Sequence, residues 1–357
     1  MKVIQIDKSE LDAGLKKLES AYRLIGPVKE KDYHLFKALT PGQKPDFDYS
    51  NTRLSARSIL YPQSEVMFTY SLDKNDPQYA ILKEPGKDPQ PKAVIGIRPC
   101  DADAYEVVRR NFDTPEYKDP YWLKNFEATT LVGLACNNPC PTCFCTSAVS
   151  GPFSDRNLDI LLIDDGDHFL ARLSTEKGEK LAELAGWNRP AENADDAIEK
   201  MKAAAESKMT TTVSTDNLAN QSLTDLYEAE EAIWDSEAFA CINCGTCTHA
   251  CPTCWCFDVQ DETYGKSGVR MRNWDSCMYP LFTMHASGHN PRDKKIARVR
   301  QRFMHKLKYY VDKYEQGIQC TGCGRCVRLC PVNIDIRRIC NKMNSYDPET
   351  CSCAVTS

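Results

Sequence analysis

The sequence predicts an α+β protein, with a mixed α/β N-terminal domain followed by a helical, cysteine-rich C-terminal domain. Two observations lead there. Apolar runs of buried-strand length alternate with helical patterns over the first 215 residues. The 19 cysteines are also unevenly placed: none in residues 1–99, a group between Cys100 and Cys145, then none until Cys241, with the rest lying between Cys241 and Cys353. The expected units are 1–215, 216–345 and a short tail, 346–357.

Element by element, Val3–Ile6 reads as a strand. A helix follows to about residue 21, capped by Ser9, with Leu11, Leu15 and Leu18 on one face. Residues 41–48, rich in Pro, Gly and Asp, read as loop. Ala93–Ile97 and Thr130–Ala135 are apolar strands, with Asp101–Arg110 helical between them. Asp159–Ile163 and Phe169–Leu173 form two more strands, joined through Asp164–Asp167. Residues 176–186 and 192–207 read as helices, and Thr210–Asn220 as the linker. Beyond it the chain reads as helical. Leu223–Phe239 leads into the first cysteine motif. In residues 292–315, Ile296, Val299, Phe303, Leu307, Tyr310 and Tyr314 recur at helical spacing. The opposite face of that helix, Lys294, Lys295, Arg298, Arg302 and Lys306, is expected either to be solvated or to dock an acidic partner or a phosphate.

Composition narrows the function. The formal net charge of −5 gives no case for nucleic-acid binding. No run of about 18 apolar residues suggests a membrane span. The polar N-terminus is no signal peptide, so the expected compartment is the cytoplasm. Thiols stay reduced there, so cysteines this dense point to metal rather than to disulfides.

The strongest signal is a repeated motif. Cys241-Ile-Asn-Cys244-Gly-Thr-Cys247-Thr-His-Ala-Cys251-Pro252 and Cys320-Thr-Gly-Cys323-Gly-Arg-Cys326-Val-Arg-Leu-Cys330-Pro331 both fit C-x2-C-x2-C-x3-C-P. This is the bacterial ferredoxin run, in which three cysteines wrap one [4Fe–4S] cluster and the fourth serves the other cluster. The expected ligand sets are therefore Cys241, Cys244, Cys247 and Cys330 for one cluster, and Cys320, Cys323, Cys326 and Cys251 for the other. Gly245 and Gly324 permit close backbone approach and unusual dihedrals. Structural zinc favours paired Cys motifs, without the third cysteine and the Cys-Pro seen twice here. About seventy residues separate the runs, far more than in a small ferredoxin, so the C-terminal unit is expected to be an α-helical, ferredoxin-like dicluster domain.

A second group lies upstream. Cys100 follows the strand Ala93–Ile97, while Cys136, Cys140, Cys143 and Cys145 follow the strand Thr130–Ala135. A strand–helix–strand unit makes parallel neighbours, so both strand ends should reach one sheet edge. The group is expected to hold a third cluster, with Cys100, Cys136, Cys143 and Cys145 the foremost candidates and Cys140 able to replace Cys136 or Cys143. Zinc or free redox-active thiols are the alternatives. Asp101 is expected to cap a helix rather than to ligate. Cys254, Cys256, Cys277 and Cys340 read as packing residues, and His249 as either exposed or a tuner of cluster potential. Cys351 and Cys353 fall in a patternless tail. Gly265-Lys266-Ser267 lacks P-loop spacing, and no G-x-G-x-x-G fingerprint for nicotinamide or flavin occurs.

Arg98-Pro99-Cys100-Asp101, Cys143-Phe-Cys145-Thr-Ser147, Cys251-Pro-Thr-Cys254, Trp274-Asp-Ser-Cys277 and Cys323-Gly-Arg-Cys326-Val together resemble one family. It comprises iron–sulfur subunits of anaerobic sulfite reductases and the beta subunits of sulfhydrogenases, with a flavin oxidoreductase subunit that works beside heterodisulfide reductase. The resemblance covers roughly residues 50–340. It implies a non-catalytic wire that passes electrons between a flavin- and NAD(P)H-binding partner and a terminal sulfite reductase, hydrogenase or heterodisulfide reductase. A catalytic thiol/disulfide or sulfur reductase using the central cysteines, and a zinc-stabilised scaffold, are the competing expectations.

Overall fold

The computed structural model describes residues 2–86 and 89–351. Its N-terminal half is a three-layer α/β/α sandwich. Strands β1 (Lys2–Asp7), β2 (Arg23–Lys29), β3 (His34–Ala38), β5 (Lys92–Ile97), β6 (Thr129–Leu134), β7 (Ile160–Asp164) and β8 (His168–Leu173) form one sheet. Their order is β1-β8-β7-β6-β5-β2-β3. Strands β2, β5, β6 and β7 run parallel; β5, β6 and β7 are buried on both faces, which is why their sequences read as continuous apolar runs, whereas β2, broken by Gly26 and Pro27, does not. Helices α1 (Lys8–Leu18) and α4 (Glu176–Ala185) cover one face, over Ile95, Val132 and Leu162. Helices α2 (Pro99–Phe112), α3 (Pro120–Glu127) and α5 (Ala194–Ser207) cover the other, over Val94, Leu131 and Leu161. The cap of α1 is Asp7 rather than Ser9, because Glu10 Oε2 accepts the Asp7 N–H at 2.9 Å.

The C-terminal half departs from an all-helical reading. Helices α6 (Leu223–Glu228), α7 (Asp235–Phe239), α8 (Thr246–His249), α9 (Lys295–Met304), α10 (Tyr310–Tyr314), α11 (Arg325–Arg328) and α12 (Ile336–Asn344) are present. Between them a hairpin, β9 (Phe257–Tyr264) and β10 (Ser267–Trp274), turns at Gly265 with φ +59°. β9 is exposed along its whole length, so its charged sequence shows no apolar alternation. β10 then pairs with β4 (Ser64–Ser71), giving the sheet β4-β10-β9 shared by both halves. Arg272 secures it: the buried guanidinium donates to Glu65 at 2.5 Å and to Asp119, among the rings of Tyr61, Phe112, Tyr121 and Phe257.

Thr210–Asn220 forms no regular element, as its composition suggests, yet it is clamped rather than loose. Val213 and Leu218 are buried, the Ser214 and Asn217 amides donate to the Asn341 and Asn344 side chains, and Lys308 donates to the Leu218 carbonyl. A short helix, Pro348–Cys351, closes the described chain; Cys353 lies outside the described residues.

Candidate metal centres

The two ferredoxin runs lie against each other through α8 and α11, with Arg302 of α9 beside both. One cavity is lined by Cys241, Cys244, Cys247, Cys326 and Cys330. A second is lined by Cys251, Cys320, Cys323 and Cys326. The fourth cysteine of each run thus lines the cavity of the other run. Gly245 (φ +73°) and Gly324 (φ +69°) occupy the left-handed region that the tight loop requires. A Cβ on Gly245 would strike the Tyr279 ring, and one on Gly324 would strike the Thr142 backbone.

The central group assembles where β5 and β6 end. The parallel pairing ends at Ile97 and Gly133, and just beyond it Arg98 Nη1 donates to the carbonyls of Leu134 (3.2 Å) and Ala135 (2.6 Å). Cys100, in the first turn of α2, comes within electrostatic reach of Cys145 and Cys323, and Cys145 within reach of Cys136. Cys140 and Cys143 share a hydrogen bond, which with Arg328 lowers Cys140 to about 6 against the cost of burial and leaves the proton on Cys143. Cys140 also borders an open cavity of about 1100 Å³ that includes Tyr33, Arg53 and Arg98. Asp101 neither ligates nor caps. Its carboxylate accepts a bidentate pair from Arg325 at 2.5 and 2.7 Å, with both side chains buried. Phe144 N–H donates to the Gly322 carbonyl at 2.8 Å. The central group therefore packs directly on the second ferredoxin run.

Spacing failed to assign the basic face of the long helix. From Lys295 to Tyr314 it is continuous, with a π turn at His305–Tyr309 between α9 and α10. Val299, Phe303, Leu307 and Tyr310 are buried as their period requires, but Arg298, Arg302 and Lys306 are buried too. Arg302 and Lys306 line the cysteine cavities and Arg298 donates to the Arg292 and Asp293 carbonyls, so the solvated face holds only for the exposed Lys294 and Lys295. Arg302 borders both ferredoxin cavities and donates to the Cys247 carbonyl at 2.9 Å. Lys306 donates to Thr253 Oγ1 at 2.8 Å and to the Gln319 carbonyl at 3.1 Å. Arg57, from the N-terminal half, donates to the Cys254 carbonyl. Among the described residues no carboxylate pairs with Arg57, Arg302 or Lys306, and Arg57 Nε, Arg302 Nε and Arg302 Nη1 have no hydrogen-bond partner. A buried charge needs a counter-charge. Thiolates carrying an anionic cluster provide one, and neutral thiols do not.

Burial pushes the Cys320 and Cys145 thiols up, each to about 12, so these two ionise only when a metal takes the sulfur, whereas a hydrogen bond from a neighbouring thiol lowers Cys140 and Cys251. Among the described residues no three Cys, His, Asp or Glu side chains converge on one point fit for a single metal ion. Zinc would need its thiolates about 2.3 Å away on every side, whereas lining a cavity suits a multi-iron core. His249 stacks by Tyr279 and hydrogen-bonds its hydroxyl at 3.1 Å. Cys340 packs in the helical core and contacts the Ser214 carbonyl, as expected of a packing residue. No described helix is long and apolar enough to cross a membrane.

Comparison with known proteins points to the same class of domain. Residues 240–334 match the 4Fe-4S dicluster domain family. The chain is 27% identical over 348 residues to the sulfhydrogenase 2 subunit beta of Pyrococcus furiosus, covering 94% of this chain and 96% of that protein. No solved structure matches. The chain thus carries a 4Fe-4S dicluster domain in a body similar end to end to a sulfhydrogenase beta subunit, which fits the iron–sulfur subunit family that its motifs resemble.

Proposed function

We propose that this chain is the electron-relay subunit of an anaerobic oxidoreductase complex, working in a reducing cytoplasm. Its ferredoxin sites would be Cys241/Cys244/Cys247/Cys330 and Cys320/Cys323/Cys326/Cys251, and the central group would hold a third cluster through Cys100, Cys143, Cys145 and either Cys136 or Cys140. When bound, the clusters supply reversible one-electron carriers. The chain's own residues bury them, set their charge environment through Arg302 and Lys306, and hold them in contact order. The observation that carries this reading is the set of buried cations without carboxylates, facing cysteine-lined cavities. Flavin and nicotinamide chemistry would come from a partner, and the terminal reductase or hydrogenase from another. The exposed Phe239 and Ile242 beside the first run suit partner docking.

The test is spectroscopic and analytical. Anaerobically purified chain should absorb broadly in the visible and bleach with dithionite. Cys143→Ser should lower iron and sulfide by about four each per chain while the ferredoxin signals persist. A colourless chain holding zinc would overturn the reading. A second reading, thiol–disulfide chemistry, is favoured by Cys140 alone, which borders the open cavity with Arg328 Nη1 at 3.4 Å. It requires disulfide turnover by the isolated chain that Cys140→Ser abolishes.

A further inference from the structure

Three cysteines expected to be packing residues do more than pack. Cys254, Cys256 and Cys277 line one cavity together with Trp255, Arg302, His305, Lys306 and Gln319. Cys254 and Cys256 leave the first ferredoxin run directly after Cys251, whereas Cys277 follows the hairpin β9–β10. The hairpin is what brings Cys277 back, and the Asp275 N–H donates to the Cys256 carbonyl at 3.0 Å. The sulfurs of Cys256 and Cys277 are within hydrogen-bond reach of each other. Cys340 lies in the apolar core and, among the described residues, borders no such cavity, whereas Cys277, in the same core, also faces this one with Cys254 and Cys256. This cavity is walled by Arg302 and Lys306, each 2% exposed, and three buried polar atoms on its wall, Gln319 Oε1, Arg302 Nε and Arg302 Nη1, have no partner. Arg57 reaches in from the N-terminal half to the Cys254 carbonyl and stacks on Trp274 at 3.4 Å. Arg302 borders this cavity and both ferredoxin cavities, and Lys306 borders this one and the second.

The local sequence repeats the central group. Cys251-Pro-Thr-Cys254-Trp-Cys256 has the same form as Cys140-Pro-Thr-Cys143-Phe-Cys145. Each is completed by a distant cysteine, Cys277 in one case and Cys100 in the other. Two copies of one arrangement, each lying against the second ferredoxin run, call for one kind of occupant.

We propose that Cys254, Cys256 and Cys277, with His305 as the fourth donor on the same wall, hold an iron–sulfur cluster additional to the two of the ferredoxin runs and to that of the central group. Its thiolates and core supply the counter-charge for Arg57 and Lys306, which the second ferredoxin site alone leaves in excess. The site forms a branch from the second ferredoxin run, on the side of the hairpin rather than of the central group. The inference goes beyond the relay reading, because a relay needs only the other sites.

The experiment uses the full chain purified without oxygen. Cys256→Ser and Cys277→Ser should each lower iron and acid-labile sulfide by about four per chain while the electron paramagnetic resonance signals of the ferredoxin pair persist. His305→Cys should keep full loading, whereas His305→Ala should change the spectrum of one cluster only. Iron-edge anomalous scattering from wild-type crystals decides the matter even where a variant fails to fold: a peak is expected between Cys254, Cys256 and Cys277. Unchanged iron in both cysteine variants, a zinc-edge peak at that position, or iron at the ferredoxin runs with none here would overturn the inference. Iron absent from the whole chain would instead overturn the relay reading.

Discussion

The two ferredoxin runs share a spacing and little else. In the first, Ile242 is 63% exposed, Cys244 is exposed, and the residue between the last glycine and cysteine is Thr246. In the second, the matching Thr321 is 1% exposed, Cys320 and Cys323 are buried, and the corresponding residue is Arg325, locked to Asp101. Asn243 and Gly322 occupy the same motif position, both with positive φ, at +54° and +66°. Asn243 can keep a side chain there. Gly322 cannot, because a Cβ would lie 2.5 Å from the Cys145 backbone nitrogen. One motif has therefore been adapted to two environments. The first run faces outward, where a partner could approach. The second is a hub enclosed by the N-terminal half. Cluster potential follows hydrogen bonding, charge and solvent exposure, so identical ligand spacing need not mean identical potential.

The sharpest way to break the comparison is to remove the exchanged ligands. Cys251→Ala should cost the chain the buried cluster and about four iron atoms, leaving the outer signal intact, while Cys330→Ala should do the reverse. Cluster-resolved paramagnetic resonance of the two variants checks this. Loss of the outer cluster in Cys251→Ala would mean that each run binds its own.

A smaller effect tests the enclosure. Asp101→Ala leaves the Arg325 guanidinium buried without its carboxylate, and the expected loss is about 3–5 kcal/mol. Thr246→Ala, at the position matching Arg325, should stay within about 0.5 kcal/mol of the parent. Denaturant unfolding of both variants measures the contrast, and equal losses would remove the asymmetry between the runs.

The smallest effect concerns the tie between the helices flanking the two runs. Glu237 on α7 accepts from Arg338 of α12 at 2.6 and 2.8 Å and pairs with Lys342 at 3.0 Å. Burial pulls its carboxyl upward, but these hydrogen bonds outweigh burial and hold it below its usual 4.5. A carboxyl lowered in the folded state adds stability above its ordinary value, and that stability is lost as pH falls through the lower folded value. Glu237→Gln should therefore cost about 1 kcal/mol at pH 7, given the partly exposed Arg338, with the deficit shrinking as pH drops below about 4.5. Unfolding midpoints of parent and variant across that range test it. A deficit independent of pH would assign the contact to packing.

Some of this was legible without coordinates. The strands Ala93–Ile97 and Thr130–Ala135 announced themselves because a parallel strand buried on both faces must be apolar throughout, and their shared edge followed from the crossover. The ferredoxin runs were equally legible, since covalent spacing alone limits which thiols can wrap a compact core. The hairpin β9–β10 was hidden because an exposed strand carries no burial pattern. The basic stripe Arg298, Arg302 and Lys306 was misread because helical period tells which residues share a face and says nothing of what that face meets. The same holds for Asp101, whose partner Arg325 lies 224 residues away, and for Cys277, which joins Cys254 and Cys256 only when the hairpin folds. Spacing determined that cysteines would gather into clusters. Tertiary packing decided which cations surround them, which run is enclosed, and which thiols dismissed as packing share a charged cavity, because charge compensation and contact across the fold are properties of neighbours in space.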